Sequence, residues 1–130
     1  MTFWDPAALK KKKGLFGNKD RTNFSCVCAD EAGNAFSGAS NSGIYVWGGN
    51  TCKNAVFVHG KGFVGAITYQ AGKIYSGGRD GQVIILDAAT MAPENAIQFG
   101  VPVRAVDVMG TSVLVGLRSG SIVHCDTATG

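Results

Sequence analysis

The sequence predicts an all-β protein built from repeated four-stranded units, and three observations predict it. A unit of about forty residues is written three times, with a broken copy ahead of the first. Small residues anchor the copies: Ser37-Gly38, Ser76-Gly77-Gly78 and Val115-Gly116 each close an apolar run. Turn signals follow at Asn41-Ser42-Gly43, Arg79-Asp80-Gly81 and Arg118-Ser119-Gly120, and each leads into a second apolar run. The turn glycines lie 38 and 39 residues apart, and the run-ending Trp47, Leu86 and Cys125 lie 39 apart. Repeats of this period with four short strands each are the signature of propeller blades, which bury their faces against one another.

The elements then follow in order. Residues 3–5 read as the end of an inner strand. Residues 6–23 read as a lysine-rich connection or outer strand, with a short strand at 12–16. The first full unit, 24–59, should place strands at 24–29, 35–38 and 44–47 and an outer strand at 55–58. The second, 60–100, should place them at 64–69, 73–76, 83–86 and 96–99. The third, 101–130, should place them at 103–108, 113–115 and 122–125, without an outer strand. Several of these runs are almost continuously apolar, as in strands covered on both faces. The one helical candidate, 6–13, is short and is followed directly by Gly14.

Composition narrows the class. The chain has 130 residues and is 45% hydrophobic, which suits one folded region and excludes a disordered acidic tail. It holds no run of 18 apolar residues, so no membrane-spanning helix is expected. The start, Met-Thr-Phe-Trp-Asp, lacks the features of a secretory signal. A cytoplasmic location with reduced thiols is therefore expected for Cys26, Cys28, Cys52 and Cys125. Cys-x-Cys with isolated His59 and His124 does not give metal-ligand spacing, so neither a metal nor a cofactor is expected. The net charge of +3 is unevenly placed: residues 1–23 carry +4 and residues 24–130 carry −1. Lys10, Lys11, Lys12 and Lys13 form the densest run, open to two readings: a solvated surface connection or a contact with an anionic partner. Arg79 and Arg118 occupy equivalent turns and are expected to share a rim, open to two readings, unpaired surface arginines or candidate partner contacts, whereas Arg104 starts a strand. No aromatic-interleaved basic groove accompanies these charges, so nucleic acid is not an expected partner.

The units resemble WD40 repeats. The middle one keeps His59, Ser76 and Asp80, with Leu86-Asp87 where that repeat carries Trp-Asp; the first keeps Ser37, Asn41 and Trp47. In such repeats His, Ser, Asp and Trp form a buried polar chain, so His59, Ser76, Asp80 and Trp47 are candidates for a structural network. A finer resemblance is to the echinoderm microtubule-associated protein-like family. It rests on Phe3-Trp4, Lys12-Lys13-Gly14-Leu15-Phe16-Gly17, Gly43-Ile44-Tyr45-Val46-Trp47, Ser76-Gly77-Gly78-Arg79-Asp80, Val103-Arg104-Ala105-Val106 and Leu114-Val115-Gly116, in that order. Lys13 directly precedes Gly14, where the family has a spacer.

The resemblance implies a non-catalytic cytoplasmic scaffold that associates with tubulin and microtubules and organises the cytoskeleton. The alternatives are a WD40 adaptor of another multiprotein complex, or a propeller hydrolase. For the hydrolase, Gly-x-Ser-x-Gly is missing, and residues 77–81 lack the Lys-Ser/Thr of a phosphate loop. No catalytic residue is therefore assigned. A propeller closes as a ring of about four to eight blades. Three blades and a partial one are expected to be part of a longer protein. The alternative is head-to-tail assembly of copies, the lysine-rich strand of one supplying the outer strand missing from another.

Overall fold

The computed structural model describes residues 2–5, 10–13, 24–49, 51–59 and 62–126. Thirteen strands and no helix are formed among them. Strands β1 (Thr2–Asp5) and β2 (Lys10–Lys13) pair antiparallel, Thr2 opposite Lys13 and Asp5 opposite Lys10. The strand expected at 12–16 is thus set back to Lys10–Lys13, and residues 14–16 lie outside the described residues. Strand, not helix, also occupies the second half of the helical candidate.

Two four-stranded antiparallel meanders follow. The first blade is β3 (Phe24–Ala29), β4 (Asn34–Ala39), β5 (Gly43–Gly48) and β6 (Thr51–Phe57). The second is β7 (Val64–Gln70), β8 (Lys73–Gly78), β9 (Gln82–Asp87) and β10 (Pro93–Gln98). The third sheet has three strands, β11 (Val103–Met109), β12 (Ser112–Leu117) and β13 (Ile122–Asp126). Outer strands β6 and β10 begin earlier than expected because their first halves are polar: Thr51, Lys53 and Asn54, then Pro93, Glu94 and Asn95, are solvent-facing. Pro93 is tolerated there because the free edge of an outer strand needs no ladder donor.

Inner strands β3, β7 and β11 sit side by side, each leading its blade. Each is bulged near its start, at Ser25, Gly65 and Arg104, where one residue is left out of the ladder register. The middle strands carry the core. Phe36, Ile44 and Val46 of the first blade pack on Val64, Ile67, Ile74, Ile84 and Leu86 of the second. Tyr75, Val83 and Ile85, from the second blade's other face, pack on Val103, Val113 and Val115 of the third. The second blade is thus covered on both faces, so β8 and β9 read as apolar runs rather than alternating ones. Each such fully buried aliphatic side chain contributes about 1.5–3 kcal/mol. The third sheet alternates instead, with Ile122 78% and Met109 74% exposed.

Glycines set how closely the blades approach. A Cβ on Gly77 would lie 2.4 Å from Val103 Cγ1, and one on Gly38 would lie 2.7 Å from Val64 Cγ1. Hydroxyls stitch the same boundary: Ser25 donates to the Val64 carbonyl and Ser42 to that of Gly62.

Candidate functional site

Two buried polar chains hold the blades' turns. In the second blade His59 Nδ1 lies 2.9 Å from Asp80 Oδ1, and His59 Nε2 lies 2.9 Å from Ser76 Oγ. A neutral ring that donates to the carboxylate through Nδ1 accepts the Ser76 hydroxyl proton at Nε2. Asp80 Oδ1 also accepts from the Gln82 amide at 3.2 Å, which fixes the β8–β9 turn. In the first blade Trp47 Nε1 donates to Ser37 Oγ at 2.8 Å, while Asn41 takes the turn position, accepting from the Gly43 amide and donating to Tyr45. The sequence grouped Trp47 with His59; the structure places it one blade away, bonded to that blade's own serine. Ser76 stands to His59 and Asp80 as a nucleophile stands to a base and its orienter. Its side chain, however, is fully buried in mid-strand, and its hydroxyl lies 3.4 Å from the Ile84 carbonyl.

The rim that carries the β8–β9 and β12–β13 turns is different in character. Arg79 and Arg118 occupy equivalent turn positions, and their amides donate to the Phe63 and Pro102 carbonyls at 3.0 and 2.9 Å. The Arg79 guanidinium lies over the Phe63 ring, 5.8 Å from its centroid. Its stem lies against Gly62, whose φ of +75° and lack of a side chain leave that path open. Arg104 sits at the β11 bulge. All three arginines, with Phe63, Pro102 and Val103, line one cleft of about 490 Å³ between the second and third blades. The three arginines are exposed, and Phe63 is 40% exposed. Among the described residues the two ion pairs are His59–Asp80 and Lys73–Glu94, and neither involves an arginine of this cleft.

The opposite rim is acidic. Asp30, Glu31, Asp87, Glu94, Asp107 and Asp126 all lie towards that end of their strands or in its turns. Its carboxylates are engaged locally. Asp30 accepts from the Asn34 side chain and amide and from Ala32; these bonds, the Asn34 side chain first, hold its pKa below the usual value. Asp87 accepts from the Thr90 and Ala89 amides, which lower its pKa in the same way. A second cleft there, about 560 Å³, is lined by Asp30, Phe36, Lys53, Tyr69, Asp87 and Met91 among others. Its one lysine, Lys53, is bonded to Asn34 Oδ1 at 2.9 Å. Among the described residues no group of three or more His, Cys, Asp or Glu is placed to hold a metal, and no helix is long and apolar enough to cross a membrane.

Sequence reasoning brought Arg79 and Arg118 to one rim by their spacing but set Arg104 apart as a strand residue. The structure joins Arg104 to them because a bulge re-aims the side chain it carries. Phe63 and Pro102 also went unnoticed; their signal was their position immediately ahead of inner strands β7 and β11. Lys10, Lys11, Lys12 and Lys13 form strand β2, where only the backbone pairing is described.

No family model matches the chain. It is 51% identical, over 92% of its length, to a ciliary WD repeat-containing protein, ctxp80, of Euplotoides octocarinatus. It is 32% identical, over 98% of its length, to echinoderm microtubule-associated protein-like 2 of Homo sapiens. The chain spans 17% and 21% of the lengths of these relatives. Among solved structures it superposes on a chain of the mitotic checkpoint complex (TM-score 0.81, 20% identity), covering 99% of this chain and 42% of that one. It also superposes on the computationally designed Ika8 protein (TM-score 0.80, 18% identity), covering 99% of this chain and 40% of that one. At those identities the structures speak for the blade fold alone. The sequence relatives, the repeat and the blades agree: this chain is a WD40-repeat region similar, over nearly its whole length, to that of the echinoderm microtubule-associated protein-like proteins.

Proposed function

We propose that this region is a non-catalytic part of a cytoskeletal scaffold that helps hold the protein on tubulin or microtubules. The observation that carries the reading is the separation of charge between the two rims. One rim presents Arg79, Arg104 and Arg118 with no carboxylate partner among the described residues, its Asp80 being taken up by His59, and the other carries Asp30, Glu31, Asp87, Glu94, Asp107 and Asp126. A rim of one sign attracts a partner of the other and raises the rate of encounter. Lys10–Lys13 add four positive charges. Kinship with a protein named for microtubule association directs the choice of partner. The non-catalytic part of the reading rests on burial: Ser76 and His59 are 0% and 4% exposed, so no substrate reaches the Ser-His-Asp arrangement found among the described residues. A cytoplasmic, cytoskeletal location belongs to the same proposal.

The test is cosedimentation of the chain with polymerised microtubules across a salt series. The expected result is pelleting at low ionic strength that falls severalfold as salt rises past about 0.15 M, where screening acts within about 8 Å. Absence from the pellet at low salt, or binding indifferent to salt, would overturn the proposal and favour an adaptor role in another complex.

A further inference from the structure

We propose that the cleft between the second and third blades is a recognition site for an acidic polypeptide segment. Clustered glutamate or aspartate carboxylates would meet the guanidinium groups of Arg79, Arg104 and Arg118, and an apolar side chain of the segment would rest on the exposed part of Phe63. This deepens the interaction-module reading and rests on it.

Charge is the first ground. Three side chains that stay charged at any working pH line one opening, and none meets a carboxylate among the described residues. Their mutual repulsion is relieved by an anion, and their planar forks suit bidentate contact with carboxylates.

Preorganisation is the second ground. The backbone of Arg79 and Arg118 is held by amide N–H hydrogen bonds donated to the Phe63 and Pro102 carbonyls, and Arg104 is aimed by a bulge in a paired strand. Little backbone ordering then remains to be done on binding.

Shape and lining are the third ground. About 490 Å³ accommodates several side chains, more than a single small anion needs, and Phe63, Pro102 and Val103 supply an apolar floor. One face of the Phe63 ring is covered by the Arg79 guanidinium, and the 40% of Phe63 that stays exposed offers contact to an aliphatic group. The opposite cleft is of similar size, yet its charged groups are already bonded to turn amides and to Asn34. It carries no comparable demand for a ligand.

The experiment is fluorescence anisotropy with the 130-residue chain and a labelled hexapeptide of five glutamates and one leucine. Its all-glutamine counterpart and a short single-stranded DNA serve as comparisons. The acidic peptide should bind, and the glutamine peptide should bind at least tenfold more weakly. R104Q and R118Q, both at exposed positions, should each weaken binding by about threefold to tenfold, whereas K53Q on the opposite rim should leave it unchanged. No binding of the peptide, affinity indifferent to the arginine substitutions, or preference for DNA would each overturn the proposal. Microtubule pelleting that persists in R104Q and R118Q, alongside failed peptide binding, would remove this cleft and leave the scaffold reading standing.

Discussion

Gly77→Ala should destabilise the chain by wedging the second and third blades apart. The added methyl would sit 2.4 Å from Val103 Cγ1 and 3.0 Å from both Val103 Cβ and Val106 Cγ2. Carbon atoms pack best at about 3.5–4.0 Å, so the overlap is roughly 1 Å against a valine on a neighbouring strand. Val103 is buried, 2% exposed, and has little room to yield. Overpacking of this kind costs about 1–3 kcal/mol, offset by roughly 0.5–1 kcal/mol from the smaller backbone entropy of alanine in the unfolded chain. A net loss of about 1–2 kcal/mol lowers the midpoint of a chain this size by roughly 3–8 °C. The repeat supplies the controls. Gly38, the equivalent residue of the first blade, faces Val64 and Cys26 at 2.5–2.9 Å and should behave the same way. Gly116, the equivalent residue of the third, meets only Ala105 of its own blade, at 3.4 Å, so Gly116→Ala should be neutral or slightly stabilising. Thermal unfolding followed by circular dichroism on the three variants decides the matter. If all three melt with the parent, the blades do not stack as described.

His59→Phe removes the ring nitrogens that partner Ser76 and Asp80, and should cost about 1–3 kcal/mol, read as a lower urea midpoint; an unchanged midpoint would deny the polar chain a structural role. Ala71 and Gly72 form the two-residue β7–β8 turn with φ of +51° and +82°, a pair that favours Asn-Gly. Ala71→Asn should therefore stabilise by about 0.5–1 kcal/mol in the same assay. Burial pushes the Cys28 thiol up to about 12 from 9.0, with the neighbouring Cys26 and Asp30 adding to it. Cys28 should react slowly with iodoacetamide at pH 8 in the folded chain and quickly once unfolded, as mass spectrometry of the labelled peptides would show. Because the folded form resists ionisation, the contribution of this thiol is fully present below about pH 9 and is lost between pH 9 and 12, so alkaline melts should show falling stability there.

The fold was legible in the sequence because blades bury their middle strands. Phe36, Ile44 and Val46, or Ile74, Ile84 and Leu86, must be apolar to fill the gap between sheets, and turn residues must punctuate them. Outer strands β6 and β10 were only half legible, since solvent covers much of them and Thr51–Asn54 or Pro93–Asn95 carry no apolar pattern. Arg79 and Arg118 could be paired by counting, because both follow the same small-residue strand by the same offset. Arg104 could not. Its placement depends on a bulge, a local slip in pairing that no alternation of side chains announces. Phe63 was hidden for a related reason: an aromatic residue just before an apolar strand reads as core, yet the connection carries it to the cleft mouth.

The central claim is that this region engages an acidic partner through its arginine-bearing rim. Hydrogen–deuterium exchange on the chain with and without tubulin tests it most directly. The expected result is protection at the 79–81 and 118–120 turns and the start of β11, with the opposite turns at 71–72 and 110–111 unchanged. Protection confined to the acidic rim, or none on either rim while tubulin is bound, would contradict it.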